Sequence, residues 1–88
     1  MPKAISINEA NFEQEVLNHK GTVLVDFYTA SCSPCQLMTP VIDKLAKDVS
    51  DTVKVVKVDA ADNYALVEKY LVNSVPAFIL IEDGKTKK

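Results

Sequence analysis

Two cysteines stand in this 88-residue chain, three positions apart, in Cys32-Ser33-Pro34-Cys35. At that spacing the second sulfur can close onto the first across one helical turn. If a helix opens at the pair, the first sulfur lies at the positive end of the backbone dipole, among first-turn N–H groups that lack partners. Both influences lower the pKa of the first thiol, and the thiolate is the reactive form. Such a sulfur can attack a disulfide and form a mixed one, which the second sulfur then resolves. Pro34 near the first helical position is compatible with the helix, and Ser33-Pro34 sets the stiffness of the turn. Plainer readings are two buried thiols or half of a zinc site. His19 is the only histidine and no second paired motif follows, so the cysteine count favours redox chemistry over metal. One pair also cannot build the multi-bridge framework of a small secreted scaffold.

Asp26 is the second residue that could do chemistry. It interrupts the otherwise apolar run Val23-Leu24-Val25-Asp26-Phe27-Tyr28. A lone carboxyl in such a strand is desolvated and its pKa is raised. It could then take and return the proton of Cys35, directly or through water, near neutral pH. The plainer reading is a surface carboxylate at a strand end.

The elements that must position these groups follow from patterning. Lys3 to Ile7 reads as an edge strand. Asn8 is a candidate N-cap, Glu9 and Glu13 suit a helix start, and Phe12, Val16 and Leu17 form one apolar face of a helix that ends by Gly21. Thr22 to Tyr28 reads as a central strand buried on both faces. Thr29 to Ser33 is a loop into a helix whose apolar face is Met38, Val41, Ile42 and Leu45, with a kink at Pro40. Val53 to Asp59 is the third strand. Ala61 to Tyr70 is a helix with Tyr64, Val67, Leu71 and Ala65 inward. Ala77 to Ile81 is the fourth strand, and Asp83-Gly84 marks a hairpin turn with almost no second arm. The order β-α-β-α-β-α-β implies an α/β layered fold, at least partly parallel, in a single domain spanning 1–88.

Composition narrows the function classes. Apolar residues are 48% and charged residues 25%, as in ordinary globular chains. Ten lysines, with no arginine, against twelve acidic residues leave a net charge of −2, which does not suggest nucleic-acid binding. The apolar runs are too short for a membrane span and the first residues lack a secretory signal, so the chain reads as cytoplasmic.

The segment Val25-Asp26-Phe27-Tyr28-Thr29-Ala30-Ser31-Cys32-Ser33-Pro34-Cys35, with Pro40, resembles the active-site segment of the thioredoxin family. Val58-Asp59, Tyr70 and Ser74-Val75-Pro76-Ala77 extend the resemblance from about Lys3 to Lys85. It implies a thioredoxin-like α/β fold and a thiol–disulfide oxidoreductase that reduces protein disulfides, as part of electron transport and cell redox homeostasis. It implies Cys32 as nucleophile, Cys35 as resolving thiol, Asp26 as the buried acid and Lys57 as its partner from the next strand. Ser31, Ser33, Pro34, Val75 and Pro76 would meet the substrate, Pro76 in a cis-proline loop where the Val75 backbone pairs with an extended chain. The redox-active disulfide would be the only cofactor, with electrons from a thioredoxin reductase and no metal.

The chain departs from the family in several places. It has no Trp: Ser31 precedes Cys32, and Tyr28 stands where a second Trp is common. Gln36 replaces a common Lys. Leu71 and Ser74 stand where Gly is usual. The expected sheet has about four strands, with the final strand and helix absent. A bare edge and face would follow, suited to a homodimer or another partner. A non-catalytic binding or scaffold module is therefore a competing reading, as is a disulfide oxidase or isomerase on the same fold.

Overall fold

The computed structural model describes residues 4–49 and 52–86. Lys3 therefore lies outside the described residues, and the first strand, β1, runs Ile5–Ile7. Strands β2 (Thr22–Tyr28), β3 (Val53–Asp59) and β4 (Ala77–Glu82) take the β-branched and aromatic runs. A two-residue strand β5 (Lys85–Thr86) pairs Ile81 with Thr86 and Glu82 with Lys85. The sheet thus has five strands rather than about four, in the order β1-β3-β2-β4-β5. β1, β3 and β2 are mutually parallel, while β4 runs antiparallel to β2 and β5 antiparallel to β4.

The extra strand exists because the Asp83-Gly84 turn is made and anchored. Both residues have positive φ, 50° and 83°, as a tight two-residue hairpin requires. The N–H of Gly21 donates to the Asp83 carboxylate at 2.8 Å, and the N–H of Asp83 donates to the Gly21 carbonyl at 2.9 Å. A Cβ on Gly84 would sit 2.8 Å from the Leu17 carbonyl oxygen, so the turn packs closely on the preceding helical segment.

One sheet face carries Val23, Val25, Phe27, Val56, Val58 and Ile81, all at most 1% exposed. Phe12, Val16 and Leu66 close over it. Phe12 and Val16 thus face the core as their spacing predicts, but the backbone there is not a helix from Asn8. The Asn8 side chain accepts from the N–H groups of Ala10 and Asn11, and Asn11 accepts from the N–H of Asn8. These local bonds compete with helical ones. Only Glu13–Leu17 is regular, a π turn closed by the N–H of Asn18 donating to Glu13. Lys54 fastens that turn to the sheet through an ion pair with Glu15.

The second face carries Leu24, Asp26 and Tyr28 of β2 with Val55 and Lys57 of β3. Helix α1 (Ser33–Asp48) packs there through Ile42 and Ala46, with Met38 alongside. The buried row is therefore Cys35, Ile42 and Ala46. Val41 and Leu45, expected inside, are 54% and 37% exposed, and Leu37 is 77% exposed. Cys35, Ile42 and Ala46 recur at spacings of seven and four, so they share one face of the helix. α1 continues through Pro40 without a break in its span.

Helix α2 is shorter than its pattern suggests, Tyr64–Lys69. Leu66 is its buried residue, with Val67 and Tyr70 partly buried. Tyr64, Ala65 and Leu71 face solvent rather than the core. The phase is set from outside the helix. Asn63, itself buried, accepts from the N–H of Glu9 at 2.9 Å and donates to the Asp59 carbonyl at 2.8 Å. The Glu9 carboxylate in turn caps the N–H of Ala65 at 2.8 Å.

Candidate active site

Cys32 is the N-cap of α1 and Cys35 lies in its first turn. The two are joined in a disulfide, with their Cα atoms 5.2 Å apart. Cys32 is partly exposed and Cys35 is buried. The N–H of Cys35 donates to the Sγ of Cys32 at 3.0 Å, so a first-turn donor meets the sulfur expected to be the nucleophile. The preceding loop is held at both ends. The N–H of Cys32 donates to the Thr29 carbonyl, and the Gln36 side chain donates to the Ala30 carbonyl at 2.7 Å. Gln36 was legible only as a lost cation; its role as a brace depends on the loop folding back over the helix. Ser31, Ser33 and Pro34 form the exposed rim around Cys32.

Asp26 is 6% exposed, in the middle of β2. Burial pushes its carboxyl above the ordinary range; Lys57 acts against this and Asp43 of α1 adds to it. Lys57 is the direct register partner of Asp26 across β2 and β3. The expected pairing is nonetheless not an ion-pair contact. The ion pairs among the described residues are Lys44–Asp48 and Lys54–Glu15. The Lys57 ammonium lies instead over the Tyr28 ring, 5.6 Å from its centroid.

The peptide bond Val75–Pro76 is cis. Ala77 pairs with Phe27, so this loop lies at the end of β2 from which the cysteine loop departs. Beside it is a cavity of about 240 Å³ lined by Thr29, Ala60, Val67, Val72, Ser74 and Val75. α2 ends there in a Schellman arrangement: the N–H of Val72 donates to Val67 and that of Leu71 to Glu68. This turn brings Val67 and Val72 together as cavity walls. It also places Leu71 at φ 56°, where the family's usual Gly would sit without strain. Among the described residues no group of three His, Cys, Asp or Glu could hold a metal ion.

The family model for thioredoxin matches residues 3–88. The chain belongs to the thioredoxin family. It is 40% identical to thioredoxin 1 of Synechococcus elongatus over 85 residues, covering 97% of this chain and 79% of that one. It is 38% identical to the thioredoxin of Haemophilus influenzae over 85 residues, with the same two coverages. Among solved structures, a mutant thioredoxin from Halobacterium salinarum superposes with a TM-score of 0.88 at 31% identity, covering 98% of this chain and 74% of that one. With its cysteine pair joined at the start of α1, this thioredoxin-family protein is a thiol–disulfide oxidoreductase. Its chemistry needs no group beyond the dithiol, and disulfide-containing proteins are the substrates that the family implies. No helix among the described residues is long and apolar enough to cross a membrane.

Proposed function

We propose that the protein reduces protein disulfides in the cytoplasm, with Cys32 as nucleophile and Cys35 as resolving thiol. The observation that carries this assignment is asymmetry within the pair. Cys32 is accessible and receives the N–H of Cys35, while Cys35 is buried. The Cys32 thiolate attacks one sulfur of the substrate disulfide and expels the other as a thiolate. Cys35 gives its proton to the Asp26 carboxylate and attacks the Cys32 sulfur. The second substrate thiolate leaves and the Cys32–Cys35 disulfide forms. Two electrons have passed to the substrate.

Lys57 acts on the charge of Asp26 in this scheme. Ser31, Ser33 and Pro34 on one side, and Val75 and Pro76 on the other, hold the extended substrate, with the adjoining cavity taking one of its side chains. A thioredoxin reductase returns the enzyme to the dithiol, which places the protein in electron transport and cell redox homeostasis.

The test is a pair of variants presented with a disulfide-bonded protein. Cys32→Ser should abolish reduction. Cys35→Ser should accumulate a covalent adduct through Cys32, seen as a mass increase that dithiothreitol reverses. An adduct through Cys35 in the Cys32→Ser protein would reverse the assignment. No reduction by the parent protein, with Cys32→Ser binding the same target equally well, would make the chain a binding module.

A further inference from the structure

The strand registers place Ser6 of β1, Lys57 of β3, Asp26 of β2 and Phe78 of β4 in one row across the sheet. Tyr28 lies two residues along β2 from Asp26, so it shares their face. Lys57 therefore has two neighbours on β2: a carboxyl directly opposite, and an aromatic ring one step up the diagonal. Its ammonium is found over the ring, within the range of a cation–π attraction. A lysine ammonium is a compact charge on a flexible stem. While it sits on the ring, it does not close on Asp26.

We propose that Tyr28 is a positioning residue of the redox site, whose ring holds the Lys57 ammonium and so prevents Lys57 and Asp26 from closing into an ion pair. The inference rests on Asp26 being the group that exchanges a proton with Cys35. A carboxylate locked in an ion pair is a weak proton acceptor. A buried carboxyl with its lysine held aside feels that charge but keeps its affinity for a proton.

The other charged groups do not replace this arrangement. Asp43 of α1 is the remaining charge acting on Asp26, and it works in the opposite direction to Lys57. β4 contributes only Phe78 to the row. Around Tyr28, burial, then Asp59, Asp26 and Asp62, keep the phenol protonated, while the neighbouring Ser6 hydroxyl works the other way. The ring is thus neutral, and the attraction is to its face.

The experiment follows the Asp26 carboxyl carbon of the reduced protein by NMR across pH, alongside the pH–rate profile for reduction of 2-hydroxyethyl disulfide. Tyr28→Leu should move the Asp26 midpoint to lower pH, and on the acidic limb the variant should react several-fold faster than the parent. Tyr28→Phe, which keeps the ring, should leave the midpoint in place. In a Lys57→Met background, Tyr28→Leu should no longer lower it. Tyr28→Met serves the same purpose if the leucine variant does not fold. An unmoved or raised midpoint in Tyr28→Leu overturns the proposal. So does a downward shift that persists without Lys57, because the ring would then act by excluding water. If Asp26→Asn keeps the parent's pH–rate profile, the catalytic role of Asp26 fails, while the NMR midpoints still report on Tyr28 and Lys57.

Discussion

The backbone N–H of Cys35 points at the sulfur of Cys32 across 3.0 Å, because Cys35 lies inside the helix that Cys32 caps. The two thiols of the reduced protein are therefore unequal. One is partly exposed and faces a helix N-terminus; the other is 6% exposed. Iodoacetamide should alkylate Cys32 faster than Cys35 by about tenfold or more. Peptide mapping after brief labelling reads the ratio. Equal labelling would remove the basis for the assigned roles.

Asp26 links the site to stability. Its carboxyl is raised, chiefly by burial, above the ordinary value of 3.8. Between that value and the folded-state value, the folded protein holds a proton that the unfolded chain has released. The stability tied to this group is thus full below 3.8 and is lost as pH rises through the folded-state value. Asp26→Asn cannot ionise. It should melt several degrees above the parent at about pH 7, with the gain vanishing at about pH 3. Thermal melts at the two pH values decide it. The same variant should resolve mixed disulfides more slowly.

Leu71 carries a conformational cost with no packing return. It sits at φ 56° at the end of α2 and is 80% exposed. A left-handed residue with a Cβ costs about 1–2 kcal/mol, and a glycine returns roughly 0.4–1 kcal/mol of that through the freer unfolded chain. Leu71→Gly should therefore stabilise the fold by about 0.5–1 kcal/mol, read from urea unfolding. A loss of stability would mean that the leucine makes contacts that offset its strain.

Asn63 joins three segments by side-chain hydrogen bonds while almost fully buried. Asn63→Ala leaves the N–H of Glu9 without its acceptor and removes one of two donors to the carbonyl of Asp59, which keeps the N–H of Asp62. The expected loss is about 1–3 kcal/mol in urea unfolding. Hydrogen exchange should speed up at Glu9 and through α2. Unchanged stability in urea would show that water replaces the side chain without cost.

The redox pair, the buried acid and the alternation of strands and helices were legible in the sequence. Each is local: Cys-x-x-Cys spacing, one carboxylate in an apolar run, and periodicities of two and of three to four. Local chemistry also placed the hairpin turn at Asp83-Gly84. What local pattern did not settle was helical phase and partner choice. The apolar residues of α1 outnumber those one face can bury, so spacing alone admits Val41 and Leu45 inside; the packed fold buries the row of Cys35, Ile42 and Ala46 instead. Glu9 reads as the start of its own helix, yet its carboxylate caps α2 from 56 residues away. Lys57 and Asp26 invite an ion pair by charge, but the strand register sets Tyr28 beside them and the ammonium goes to the ring. These outcomes required tertiary structure because each depends on groups far apart in the chain competing for one partner. A sequence states which groups can interact, and only the packed sheet decides which of them come within reach.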